Sequence, residues 1–222
     1  MFPDKDLITA AIRGDLPGVK AALALGADPY FDNGKAIEEA ITNGRLEIVE
    51  RLYDPVRSDT WVNQAAIWMA AENGRPEIVD FLIQQGVDVN VAEGKALQGA
   101  AFLGHVKVVE LLLAAGARLD NKALKFAALR DHPGVIERLL EAGADLHAED
   151  DFCLRHAAAR GNVEMVEILV RHGADPGHPY MAEASEKHAH LKAWMDRRTI
   201  ETELGSSSEA PAGKRFITRS SV

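Results

Sequence analysis

Asn43-Gly-Arg-Leu-Glu-Ile-Val-Glu-Arg-Leu52 returns three times with conservative changes. The copies are Asn73-Gly-Arg-Pro-Glu-Ile-Val-Asp-Phe-Leu82, Leu103-Gly-His-Val-Lys-Val-Val-Glu-Leu-Leu112 and Arg160-Gly-Asn-Val-Glu-Met-Val-Glu-Ile-Leu169. The glycine opening the phrase also occurs at Gly14, and Asp131 stands in its place in one copy. Gly14, Gly44, Gly74, Gly104, Asp131 and Gly161 are therefore separated by 30, 30, 30, 27 and 30 residues. Self-similarity at a fixed period of this length means small units stacked in a row, each burying its apolar face against the next.

Each unit reads as two short helices. Around Gly104, Lys95-Ala-Leu-Gln-Gly-Ala-Ala-Phe-Leu103 and Val106 to Ala115 carry apolar residues at helical spacing on either side of a turn. Gly116-Ala-Arg-Leu then closes the unit, as do Gly26-Ala-Asp-Pro, Gly86-Val-Asp-Val, Gly143-Ala-Asp-Leu and Gly173-Ala-Asp-Pro elsewhere. Glycine suits a helix end because it adopts the left-handed conformation without a Cβ penalty. Small pairs before the turn (Ala10-Ala11, Ala70-Ala71, Ala100-Ala101, Ala127-Ala128 and Ala157-Ala158) let neighbouring first helices approach closely. The second helices supply the filling: Ile48-Val49-Leu52, Ile78-Val79-Leu82, Val108-Val109-Leu112, Val135-Ile136-Leu139 and Met165-Val166-Leu169.

Composition agrees with a folded chain: 222 residues, 47% hydrophobic and 27% charged. The opening residues, Met1 to Asp15, show no basic region followed by an apolar run, and no stretch approaches ~20 uninterrupted apolar residues. Neither export nor membrane spanning is expected. The lone Cys153 has no partner for an internal disulfide, which fits a reducing, cytoplasmic setting. A net charge of −9 argues against nucleic acid or anionic lipid as the main partner.

The recurring pattern Ala-Ala-x-x-Gly-(His/Asn/Arg)-x-x-(Ile/Val)-Val-x-x-Leu-(Leu/Ile)-x-x-Gly-Ala-Asp resembles the ankyrin repeat. The resemblance covers six units from about residue 4 to 176. It implies an all-α, L-shaped helix-turn-helix solenoid whose concave side binds another protein, with no cofactor, no metal and no catalytic residue. Two departures stand out. The family's Thr-Pro-Leu-His opening is replaced by Lys35-Ala-Ile-Glu, Lys95-Ala-Leu-Gln and Lys122-Ala-Leu-Lys, and the units are about three residues shorter than the common ~33. Short inter-repeat turns are expected in place of projecting hairpins.

Residues 1–178 are assigned to the array, with units near 4–29, 34–56, 64–89, 94–119, 121–146 and 151–176. In the second unit Tyr53-Asp-Pro55 replaces the Gly-Ala-Asp stop, so its second helix should end early. The fifth unit begins after a shortened connection, and Pro133 is placed to open a helix. Met181, Ala184, His188, Leu191 and Met195, with Trp194 beside them, form a stripe that predicts a capping helix within 179–204. Residues 205–222, Ser-rich and then basic at Lys214-Arg215, read as a flexible tail. Ser220-Ser-Val222 fits the loose pattern of a terminal ligand for PDZ-type grooves.

No GxxxxGK(S/T), GxGxxG, GxSxG, HExxH or CxxC occurs, so phosphate loops, nucleophile elbows and common zinc sites have no support. His178, His188 and His190 near Asp175 read as packing or hydrogen-bonding histidines. His105 and His132 occupy the turn position where the family carries histidine for local bonding.

The informative constellation is positional. Nine residues before each turn stand Lys5, Lys35, Ala65, Lys95, Lys122 and Phe152; six before, Ile8, Glu38, Trp68, Gln98, Lys125 and Arg155; two before, Ile12, Thr42, Glu72, Phe102, Leu129 and Ala159. These rows share one side of the first helix, the side that the resembled family turns inward. Repeated lysine in a first turn runs against the helix dipole. It reads either as solvated surface or as a working row. In the second reading Trp68, Phe102 and Leu129 are apolar anchors flanked by Lys95, Lys122, Lys125, Arg155 and Glu72, suited to a partner with an acidic and apolar surface. The alternative use of the same lysines is a track for nucleic acid or another polyanion. Glu38, Glu39 and Glu72 oppose it.

Overall fold

The computed structural model describes residues 2–57 and 61–207. Among them the chain is all-α. The helices are α1 (Pro3–Arg13), α2 (Leu16–Ala24), α3 (Phe31–Thr42), α4 (Leu46–Leu52), α5 (Trp61–Glu72), α6 (Pro76–Gln84), α7 (Val91–Leu103), α8 (Val106–Ala114), α9 (Asn121–Leu129), α10 (Pro133–Glu141), α11 (Ala148–Arg160), α12 (Val163–Arg171), α13 (Pro179–Lys187) and α14 (Ala189–Ser207). Odd-numbered helices stack on one another in one layer, even-numbered helices in a second, and each pair is joined by a tight turn. The paired alanines lie at the centre of the first layer, with Ala11, Ala70, Ala71, Ala100, Ala101, Ala127, Ala128, Ala157 and Ala158 all at 0% exposure. Val49, Leu82, Leu112, Leu139 and Leu169 fill the space between layers and are likewise inaccessible. Each such leucine contributes about 1.5–3 kcal/mol by leaving water.

The turns are bolted from one unit to the next. Arg75 donates from Nε and Nη2 to the carbonyl of Thr42 at 3.0 and 2.8 Å. His105 Nε2 reaches the carbonyl of Glu72 at 3.1 Å, and His132 Nε2 that of Phe102 at 3.1 Å. The ring or guanidinium lies over the preceding turn glycine, which must have no side chain. A Cβ on Gly104 would sit 2.7 Å from His132 Cε1, at a backbone φ of +79°.

The C-terminal segment departs from the expected single capping helix. His188 has extended backbone (φ −126°, ψ 97°) and separates α13 from α14. Helix α13 stacks on α11, and α14 returns against α12, so 179–207 form a seventh helix pair. The break falls where it does because His188 Nε2 donates to the carbonyl of Ala159 at 3.0 Å, the bond that His105 and His132 make in their own units. The apolar stripe itself is buried: Met181 and Leu191 at 0%, Ala184 at 5% and Trp194 at 7% exposure. Helix α14 runs through Ser207 and so takes in the first three residues, 205–207, expected for the tail. The remainder of that tail, with Lys214-Arg215 and Ser220-Ser-Val222, lies outside the described residues.

Helix α4 stops at Leu52, and Tyr53 turns extended (φ −73°, ψ 127°) ahead of Pro55. Tyr30 Oη, accepting from Asp54 N at 2.9 Å, ties down the altered exit. Ahead of α10, Pro133 occupies the first turn as its fixed φ favours. The trimmed connections take a form that residue type does not announce. Three consecutive left-handed residues precede the right-handed part of α3, α7 and α11: Asp32-Asn33-Gly34, Ala92-Glu93-Gly94 and Glu149-Asp150-Asp151. For residues such as Ala92 and Asp151 this conformation costs about 1–2 kcal/mol each.

Candidate functional site

The first-helix layer carries the candidate residues, and the structure sorts them into three clusters. On α5, Trp68 is half-buried and meets Trp61 edge to face, with centroids 6.5 Å apart and planes at 82°. Lys95, at the start of right-handed α7, places Nζ 5.9 Å from the Trp68 centroid. Between Trp61, Trp68, Val91, Ala92 and Lys95 runs an open groove of about 600 Å³. Trp61 is 51% exposed.

One unit on, Phe102 is 39% exposed and packs edge-on against Phe126 at 5.8 Å. The Arg130 guanidinium lies 4.7 Å from the Phe102 centroid. Leu129 and Ile12, in the same register of their own units, are 43% and 45% exposed. Large apolar side chains thus stand in solvent at one repeated position of the first helices, while their counterparts between the layers are fully buried. Glu72 is exposed, and its main-chain carbonyl is held by His105.

The third cluster surrounds Phe152. Lys125 Nζ lies 5.2 Å from its ring and pairs with Glu149 at 2.5 Å. Arg155 stacks between Phe152 and Tyr180, at 5.9 and 5.6 Å, and pairs with Asp150 at 3.2 Å. Its hydrogen bond with Tyr180, aided by Asp150, raises the guanidinium pKa above its ordinary value.

The lysine row is therefore not uniform. Lys35 is taken by Glu38 at 2.9 Å and Glu39 at 3.0 Å, and those two hydrogen bonds raise its pKa. Lys5 lies over Phe2. Lys95 and Lys122 are exposed and have no carboxylate partner among the described residues. The structure joins Trp68 to Lys95 and Lys125 to Arg155, but gives Phe102 the cation of Arg130 rather than a lysine. Trp61, Phe126, Arg130 and Tyr180 fall outside the three rows. The spacing of Trp61 to Trp68, two helical turns on one face, could have found the first of them.

Elsewhere Cys153 and three histidines are engaged in packing or local hydrogen bonds. Burial pushes the Cys153 thiol up to about 12, too high for a nucleophile near neutrality. His178 caps Tyr180 N, and His190 Nε2 donates to the carbonyl of Gly161 at 2.6 Å. His156 stacks on Phe152 at 5.7 Å with its Nε2 buried and unpartnered among the described residues; burial lowers its pKa. No group of three His, Cys, Asp or Glu among the described residues is set to hold a metal ion, and no described helix is long and apolar enough to cross a membrane.

Comparison with known proteins bears on the whole array. Ankyrin repeats, in three copies, match residues 37–123 and 97–180. The Caenorhabditis elegans protein named ankyrin repeat and KH domain-containing protein mask-1 is 33% identical over 177 residues. The match takes in 78% of this chain but spans only 6% of that relative's length. Among solved structures, the human ASB11 ankyrin repeat domain superimposes with a TM-score of 0.68 at 23% identity, covering 86% of this chain and 96% of that one. The ankyrin repeat domain of Bcl-3, described as a member of the IkappaB protein family, gives 0.61 at 24% identity over 77% and 86%. An ankyrin repeat domain from Acinetobacter baumannii AYE gives 0.61 at 25% identity over 76% and 98%.

Proposed function

The chain belongs to the ankyrin-repeat family, a family of non-catalytic interaction modules, and from that premise we propose that it binds another protein through its first-helix face. It acts by occupancy, as an adaptor or as an inhibitor that masks what it covers, in the cytoplasm. The observation that carries this reading is the register of exposed apolar side chains, Phe102 at 39% and Leu129 at 43%, beside the Trp61–Trp68 pair with cations over the rings. Exposed aromatics next to cations are what the centres of protein interfaces favour. The rival reading, a polyanion track, is weakened because Lys35 and Lys125 are already neutralised by Glu38, Glu39 and Glu149.

The test is affinity capture from the native host with three baits: wild type, a Trp68→Ala/Phe102→Ala variant, and a Lys107→Glu variant altered on α8 in the other layer. A partner retained by wild type and Lys107→Glu, lost with the double variant and surviving nuclease treatment, is expected. Capture indifferent to the double variant would move the site, and loss on nuclease treatment would transfer the reading to nucleic acid.

A further inference from the structure

What already fills the Trp61–Trp68 groove dictates what else can enter it. Two tryptophans 6.5 Å apart at 82° make walls of the kind that recognise organic cations. Here Lys95 Nζ stands 5.9 Å from the Trp68 centroid, so that ring face already holds a cation and a second would be repelled. Ala65, Val91 and Ala92 complete the lining with apolar surface, and Gln64 adds one neutral polar side chain. Lys95 has no carboxylate among the described residues, so its charge is open to an incoming anion.

The arrangement repeats further along. Phe102 is exposed, carries Arg130 at 4.7 Å, and Arg130 also lacks a carboxylate among the described residues. Lys95 and Phe102 lie seven residues apart on α7, which is two turns and about 10 Å along one face. An extended chain spans that distance with about three or four residues. Glu72, Glu38 and Glu39 on the same layer, together with the neutralised Lys35 and Lys125, leave no continuous row of cations for a phosphate backbone.

Resting on the reading of this face as a protein-binding one, we propose that its partner presents an acidic linear segment. One apolar side chain enters the groove between Trp61 and Trp68 with a neighbouring carboxylate on Lys95. A second apolar side chain, a few residues away, lies on Phe102 with a carboxylate on Arg130. The rings supply contact area, and the cations reject basic sequences.

The experiment selects random dodecapeptides displayed on phage against the immobilised full chain, then measures one selected peptide by fluorescence polarisation against wild type and three variants. Selected peptides are expected to combine Asp or Glu with bulky apolar residues. Affinity should fall about ten-fold or more with Trp68→Ala and with Lys95→Glu, and stay within about two-fold with Lys107→Glu, which makes the same charge change on the other layer. Lys95 is exposed, so its variant keeps the test sound even if Trp68→Ala disturbs the fold. Selection of basic or uncharged peptides, no selection at all, indifference to Lys95→Glu, or tighter binding of a labelled thymidine dodecamer would each overturn the proposal. A captured host partner that still depends on Trp68 and Phe102 while display fails would sink the linear acidic segment alone. Capture that ignores those residues would sink both readings.

Discussion

Substituting Gly104 by alanine tests the inter-unit bolt and its link to the proposed binding face. Gly104 has φ +79°, where an alanine pays about 1–2 kcal/mol. The new Cβ would lie 2.7 Å from His132 Cε1, so the ring must leave and its bond to the Phe102 carbonyl is lost, at about 0.5–1.5 kcal/mol. Together these predict a loss of about 1.5–3.5 kcal/mol. His132→Ala alone should cost about 1 kcal/mol. In the double variant the ring that would have clashed is already gone, so its stability should match that of Gly104→Ala rather than fall further. The coupling is then about 1 kcal/mol, measured from urea midpoints with unchanged m-values. Strict additivity would refute the claim that ring and glycine occupy one space. Because the bond fixes the backbone of Phe102, His132→Ala should also weaken the selected peptide while Arg75→Ala, two units away, leaves it nearly unchanged.

Leu112→Ala, at 0% exposure on α8, should cost about 2–5 kcal/mol, whereas Lys95→Ala should stay within about half a kcal/mol; equal shifts of the urea midpoint would show that the assignment of inside and outside is wrong. Burial lowers the His156 pKa, against a smaller opposing pull from Asp131, so the folded chain keeps the ring neutral to lower pH than the unfolded chain does. The unfolded chain therefore takes up a proton that the folded chain refuses once the pH drops below the ordinary histidine value near 6.5, and stability is lost on acidification. Above that value the residue is neutral in both states and contributes no pH dependence. His156→Leu should accordingly flatten the stability profile as the pH falls below the ordinary histidine value of about 6.5, and an unchanged slope would contradict the assignment.

Six helix pairs are legible in the sequence because the turn residue and the apolar residues after it recur in phase, each enforcing a local geometry. The seventh is not, since its turn is Lys187-His188 without glycine, and an apolar stripe at three- and four-residue steps suits one long helix as well as two that fold back. At the candidate site, Trp68, Phe102, Leu129 and Lys95 emerge from counting back to the turn. What counting misses is partnership. Glu149, which neutralises Lys125, and Asp150, which holds Arg155, sit in a left-handed turn whose place in unit four belongs to Ala92 and Glu93. Neither residue type nor periodicity signals that backbone. Trp61 precedes the counted rows altogether and is joined to Trp68 only by the geometry of α5.

The turn at Asp131 shows that the bolt is specified by both of its ends. Long side chains, Arg75, His105 and His132, lie over Gly44, Gly74 and Gly104. At the fifth turn the residue is Asp131, with φ +56° and a Cβ that would collide with a ring in that position. The following unit supplies the shorter Asn162, whose Nδ2 donates to Asp131 Oδ1 at 3.3 Å, while Arg160 pairs with Oδ2 at 2.8 Å. Asp131 thus exchanges the freedom of glycine for two polar contacts that help offset its left-handed backbone. Asn162 has room only because it reaches the side chain rather than the carbonyl of the preceding unit. The layer therefore keeps its stacking through a turn that breaks the repeat rule, and the rows on either side of it, Phe102 before and Arg155 after, remain on one face.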